Sequence, residues 1–187
     1  MRRLSVLAVV LVGCAHAPPV DSAAPAWTLL NATPGTDEIQ IRSDTRLRRA
    51  TVTDAAARGP DLDLKRVPGK LQGTTYVERP VDLQVKGTAI TGRVAGDSWD
   101  LTLDKDGSEV RATGLVAGQP STFWLSPARI RGSVGPCRFD LVWSAGNYAG
   151  GRTCGPAGDV VQVQFPAALA SWSDPEVAAV LAILVQR

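Results

Sequence analysis

The sequence contains little of the chemistry on which most enzymes depend. Its 187 residues include a single histidine, His16, close to the N-terminus. Histidine is the usual base for serine and cysteine nucleophiles and the commonest metal ligand. The G-x-S-x-G, P-loop and HExxH motifs are also absent from the sequence. We therefore predict that the chain is not an enzyme and has no catalytic residue, metal site or cofactor; a carboxylate pair or a serine–lysine dyad formed on folding stays an alternative.

An excess of basic charge is also absent once the first residues are set aside. The chain has 20 basic and 18 acidic residues, and Arg2 and Arg3 account for the difference. The densest basic cluster, at Arg46, Arg48 and Arg49, is interpreted as a solvated strand or turn. Because no polybasic run or basic face stands out, the sequence predicts no nucleic-acid partner.

The first fourteen residues have the layout of a secretory signal, with Arg2 and Arg3 before an apolar run at 4–12. This run is too short for a transmembrane helix, which needs about 20 residues. Leu11-Val12-Gly13-Cys14 resembles the lipobox of bacterial lipoproteins. The resemblance implies cleavage before Cys14, lipid attached to that cysteine, and a membrane as its partner. Ala15, in place of an aspartate, implies the outer membrane, with the protein facing the periplasm.

The segment that follows the lipobox is rich in proline and alanine and shows no periodicity. Residues 15–26 read AHAPPVDSAAPA, a composition that cannot bury enough apolar surface to order itself. We predict a signal peptide at 1–13, the lipidated Cys14 with a tether at 14–26, and one domain at 27–187. His16 lies in this tether, where partners for a metal or a reaction are not expected.

Internal repeats predict the architecture of the domain. Five segments of about 20 residues begin with glycine and have the length of one β-hairpin each. Within them, apolar and polar residues alternate, as with Leu101 and Leu103 against Thr102 and Asp104. The short turns between them favour antiparallel neighbours. The five segments lie within 71–165 and start at Gly73, Gly92, Gly114, Gly132 and Gly151.

These repeats predict a mainly β fold: an antiparallel up-and-down meander of about 10–12 strands. The repeated glycine is expected on the inward face, where a missing side chain lets a sheet coil sharply. A strongly curved sheet or barrel is therefore expected. Ser173-Asp174-Pro175-Glu176 is typical of a helix start, so one C-terminal helix at 174–186 should pack on the sheet or plug a barrel end.

Cys137 and Cys154 lie in or near the turns of adjacent predicted hairpins. In an oxidising cell envelope they are expected to form a structural disulfide. A redox or metal pair is the alternative, but the cysteines do not form a CxxC motif.

The second strand of four repeats begins with aspartate. A ladder of calcium sites is one interpretation, but calcium needs several oxygens around one ion. We favour aspartates that accept hydrogen bonds from turn amides. The four are Asp82, Asp100, Asp140 and Asp159.

Two classes of function follow from these features. The first is a membrane-anchored envelope lipoprotein with a non-catalytic structural or interaction role, in contact with an envelope protein or peptidoglycan. Trp124 supports it, because the repeat alignment places this residue on the outward face, where an exposed tryptophan can anchor an interface. The second is a barrel that binds a small ligand or lipid, which requires an unfilled interior. An inhibitor-type barrel is a further analogy at the level of the fold, and the mature part otherwise resembles envelope lipoproteins without an assigned activity.

Overall fold

The computed structural model describes residues 30–186, apart from the side chain of Val77. The predicted signal peptide, the lipobox with Cys14 and the tether lie outside the described residues. The described residues all fall within the region that the sequence predicts to be the domain.

Fourteen antiparallel strands form a closed barrel in the described part of the chain. Each strand pairs with its neighbours in sequence, and the first pairs with the last through Ile41 and Val163. The predicted up-and-down meander is therefore confirmed, with the sheet closed and with more strands than expected. The strands are β1 (Glu38–Ser43), β2 (Leu47–Val52), β3 (Ala56–Arg58), β4 (Leu62–Val67), β5 (Lys70–Thr75), β6 (Arg79–Lys86), β7 (Ala89–Val94), β8 (Asp97–Asp106), β9 (Glu109–Val116), β10 (Gln119–Leu125), β11 (Arg129–Val134), β12 (Cys137–Ser144), β13 (Asn147–Cys154) and β14 (Ala157–Gln164).

The barrel wall is apolar inside and polar outside. In β4, Leu62 and Leu64 are fully buried, whereas Asp63 and Lys65 between and after them are exposed. Among residues 30–186 there is no helix with the length and hydropathy needed to cross a bilayer.

The repeated glycines lie where neighbouring backbones approach each other most closely. At Gly92, whose φ is +143°, an added methyl group would lie 2.1 Å from the carbonyl oxygen of Asp82 on the adjacent strand. Gly73, Gly114 and Gly132 have the same environment. In the fifth repeat, however, Gly150 takes this position, and the predicted Gly151 has open space around it. The glycine alignment was therefore one residue out of register in that repeat.

The helix α1 (Asp174–Val185) lies inside the barrel. A short 3-10 turn at Ala167–Ser171 connects β14 to this helix, and another, at Tyr76–Glu78, lies between β5 and β6. Every residue of α1 after Asp174 is buried, so the helix has no solvent-facing side. Its polar groups meet one side of the ring, through Arg48 of β2, Arg66 of β4 and Arg152 of β13, and its backbone also contacts β7 and β9 elsewhere in the ring. A barrel of eight strands encloses a space that side chains alone can fill. The barrel of this protein has fourteen strands and is wider, and a helix about 10 Å across fills it.

Candidate functional site

The predicted disulfide is confirmed. Cys137 begins β12 and Cys154 ends β13, and the two residues are directly opposite each other in the antiparallel register. Their sulfur atoms are bonded, with 4.1 Å between the Cα atoms. The bond therefore fixes the hairpin at the barrel end that carries the turns within each repeat.

Trp124 lies on the outer wall, between two arginines on neighbouring strands. The guanidinium carbons of Arg131 and Arg111 lie 5.0 and 5.6 Å from the centre of its ring. Arg131 also pairs with Glu109 at 3.4 Å. This arrangement is a cross-strand cation–π cluster. Its use as an interaction surface stays a prediction.

Three of the four repeat aspartates, Asp82, Asp140 and Asp159, accept hydrogen bonds from side chains of neighbouring strands, where bonds from turn amides were expected. Asp159 receives two bonds from Arg152, at 2.6 and 3.1 Å, and Asp140 is paired in the same way with Arg129. In each case the hydrogen bond from the arginine is the main cause that lowers the pKa of the aspartate. These carboxylates are therefore held in the ionised form.

One cavity of about 300 Å³ opens at the barrel end nearest the C-terminus of α1. Arg46, Arg48 and Arg79 contribute to its wall, together with Asp61 and Asp97. Its apolar lining comes from β7, β8 and the last turn of α1, as represented by Val94, Trp99, Ile183 and Leu184. The site therefore combines an apolar floor with charged groups around it, as small-molecule sites do.

Arg48 joins this cavity to the helix. It is 7% exposed, and its guanidinium donates to the carbonyl oxygens of Leu184, at 2.8 Å, and of Gln186. The last carbonyl groups of a helix have no partner within it and carry partial negative charge. Arg48 therefore satisfies them and holds the helix against β2. Burial, and then the charges of Arg46 and Arg152, lower the pKa of Arg48.

Trp99 contributes a buried polar atom to the same wall. The side chain is 2% exposed, and its indole N–H has no hydrogen-bond partner among residues 30–186. Such unpaired buried donors are uncommon in native structures. Trp99 was not singled out from the sequence. The interpretation of the cluster at Arg46, Arg48 and Arg49 as solvated was wrong for Arg48, which is buried against the end of α1. The alternation of β2 and β8 gives no sign that Arg48 and Trp99 reach one cavity.

A second cavity, of about 340 Å³, lies against the N-terminal end of α1. Its charged wall includes Arg66 and Glu176, which pair with each other at 2.8 Å. Arg66 and Glu176 already neutralise each other, so they provide a ligand with less uncompensated charge than the cavity beside Arg48 does.

The chain was compared with protein-family models, with curated proteins and with solved structures, and none of them matches it.

Proposed function

We propose that this chain is a lipid-anchored, non-catalytic binding protein of the cell envelope, and that its barrel takes a small ligand at one mouth. The observation that carries the proposal is the cavity of about 300 Å³ beside the C-terminus of α1. The lipobox at Cys14 supports the anchor and the address.

The position of the helix decides where a ligand has room. Barrels that carry an apolar ligand in their centre leave that centre empty, whereas here α1 is buried along its length inside the wall. A ligand at the mouth needs no movement of the helix, because the cavity is already open beside Ile183 and Leu184. The proposed ligand therefore binds at the mouth of the barrel and not in its centre.

A cavity-blocking variant tests the binding role. Thr75 lies at the end of β5 and lines the cavity, so Thr75→Phe should fill part of it. Thr113, exposed on the outer face of β9, provides a matched control as Thr113→Phe. A small-molecule library is screened for compounds that raise the Tm of the mature protein. We expect hits whose effect disappears in T75F and persists in T113F; no hits, or hits that T75F leaves unchanged, would contradict the proposal.

The anchor has a separate test. The full chain and its Cys14→Ser variant are produced in a bacterium with an outer membrane, and membrane and soluble fractions are compared. We expect lipid labelling and membrane association only with Cys14 present. A C14S protein that stays in the membrane fraction would contradict anchoring by lipid without affecting the binding role.

A further inference from the structure

Two buried groups line the mouth cavity without an anionic hydrogen-bond partner among residues 30–186. Arg48 donates hydrogen bonds to the carbonyl oxygens of Leu184 and Gln186, and the Asp61 carboxylate acts on its charge without forming an ion pair with it in the described part of the chain. Trp99 has a buried N–H without an acceptor in the same part of the chain. Buried charges are usually paired with opposite charges, and buried donors are usually bonded. Both side chains line the same cavity, so a ligand in it lies beside both.

The charges around the cavity favour an anion. Three guanidinium groups, from Arg46, Arg48 and Arg79, face two carboxylates, from Asp61 and Asp97. Asp61 also accepts a hydrogen bond from the Arg49 amide, at 3.3 Å. The balance leaves one positive charge in excess beside the buried guanidinium.

We propose that the mouth cavity binds a small organic anion, whose carboxylate faces Arg48 and accepts the Trp99 indole N–H, with its apolar body against Val94 and Leu184. This inference rests on the proposed binding function and specifies the class of ligand. The volume of about 300 Å³ is at the lower end for ligand sites and suits a single-ring or short-chain acid. Arg46 and Arg79, both exposed at the rim, attract the same charge.

The Trp99 indole proton provides a direct measurement. Nuclear magnetic resonance spectra of the mature 15N-labelled protein are recorded during titration, with the Trp99 signal assigned through Trp99→Phe. The probes are benzoate and hexanoate, their neutral isosteres benzamide and hexanamide, and inorganic phosphate, an anion without an apolar body. We expect the carboxylates to move the Trp99 signal and to bind roughly tenfold more tightly than the amides, because a charged hydrogen-bond pair is stronger than a neutral one. Added salt should weaken carboxylate binding, and the Trp124 signal, on the outer wall, should stay in place.

A rim variant separates charge recognition from folding. Arg79→Gln removes an exposed cation from the cavity wall, and we expect it to weaken carboxylate binding while leaving amide binding unchanged. Arg93→Gln is the matched control, because Arg93 is also exposed but lies outside the cavity lining.

The outcomes distinguish the two proposals. Amides that bind as tightly as carboxylates would overturn the anion inference and leave the binding function standing. A Trp99 signal that no probe moves would overturn the anion inference, whereas the library screen with T75F decides the binding function separately. Carboxylate binding that weakens equally in R79Q and R93Q would reflect the net charge of the protein and would also overturn the inference.

Discussion

Gly150 lies so close to Asp140 on the neighbouring strand that an added methyl group would be 2.0 Å from the Asp140 carbonyl oxygen. The adjacent Gly151 has nothing within 4 Å of the same hypothetical methyl group. In a closed barrel the strand that carries Asp140 is held on both sides and cannot move away freely. We therefore predict that Gly150→Ala lowers the free energy of unfolding by about 3 kcal/mol.

Gly151→Ala is the control for this prediction, because it adds the same methyl group one residue away. Its effect should stay within about 0.5 kcal/mol, as for most exposed substitutions. Urea unfolding followed by circular dichroism measures both variants. A larger loss in G151A than in G150A would place the close contact at Gly151 and restore the register expected from the repeat alignment.

This pair of glycines shows what the sequence can and cannot predict. Four repeats contain a single glycine at the close contact, so alignment alone identifies Gly73, Gly92, Gly114 and Gly132. The fifth contains two in a row, and a shift of one residue moves a side chain to the opposite face. Only the pairing of Gly150 with Leu141 and Val161, both buried, decides between them.

The helix and the cavity illustrate a different limit. The capping sequence predicted where α1 begins, and the disulfide and the meander followed from turn spacing. The number of strands was underestimated because the expected 10–12 strands leave at most two beyond the ten of the repeats, whereas four strands, β1 to β4, precede them. A barrel with fewer strands would have no room for a helix inside it. The position of α1 inside the barrel therefore depends on the number of strands, which the alternation of apolar and polar residues does not determine. The hydrogen bond from Arg48 to Leu184 could not be predicted for the same reason.

Ala145 adopts a backbone conformation that alanine disfavours. Its φ is +50°, and Gly146 after it has a φ of +87°, in the hairpin turn between β12 and β13. Left-handed conformations cost about 1–2 kcal/mol for most residues, whereas Asn-Gly is a preferred pair in such turns. Ala145→Asn should therefore raise the free energy of unfolding by about 1 kcal/mol. Ala55→Asn, exposed in another turn without a positive φ, should give no gain in the same urea unfolding measurement.

Glu176 ties the start of α1 to the barrel wall. Its side chain is almost fully buried and accepts hydrogen bonds from the Ser173 amide, at 2.7 Å, and from Arg66, at 2.8 Å. Glu176→Ala leaves both donors without this partner, and we predict a loss of about 2 kcal/mol, reduced from the fully buried case because Arg66 is partly exposed. Glu109→Ala breaks the exposed pair with Arg131 and should cost less than about 0.5 kcal/mol. Equal losses in thermal unfolding would contradict a special role for Glu176.

Tyr148 makes the barrel sensitive to high pH. Burial raises the pKa of its hydroxyl to about 12, although a hydrogen bond from the Asn31 amide acts in the opposite direction. The hydroxyl donates to the carbonyl oxygens of Ser126 and Pro127, each 3.1 Å away. The folded state thus favours the protonated form. Its contribution to stability is complete below the ordinary tyrosine pKa of 10.0, which applies to the unfolded chain, and is lost as pH rises towards about 12.

Tyr148→Phe isolates this effect, because phenylalanine fills the same space and does not titrate. The variant should lose about 1 kcal/mol near neutral pH, where the hydroxyl hydrogen bonds are missing. Between about pH 10 and pH 12 the wild-type free energy of unfolding should fall more steeply than that of Y148F, so that the two curves converge. Urea unfolding at several pH values measures both slopes. Parallel curves would mean that other groups cause the alkaline loss and that the Tyr148 hydroxyl ionises as easily in the folded barrel as in the unfolded chain.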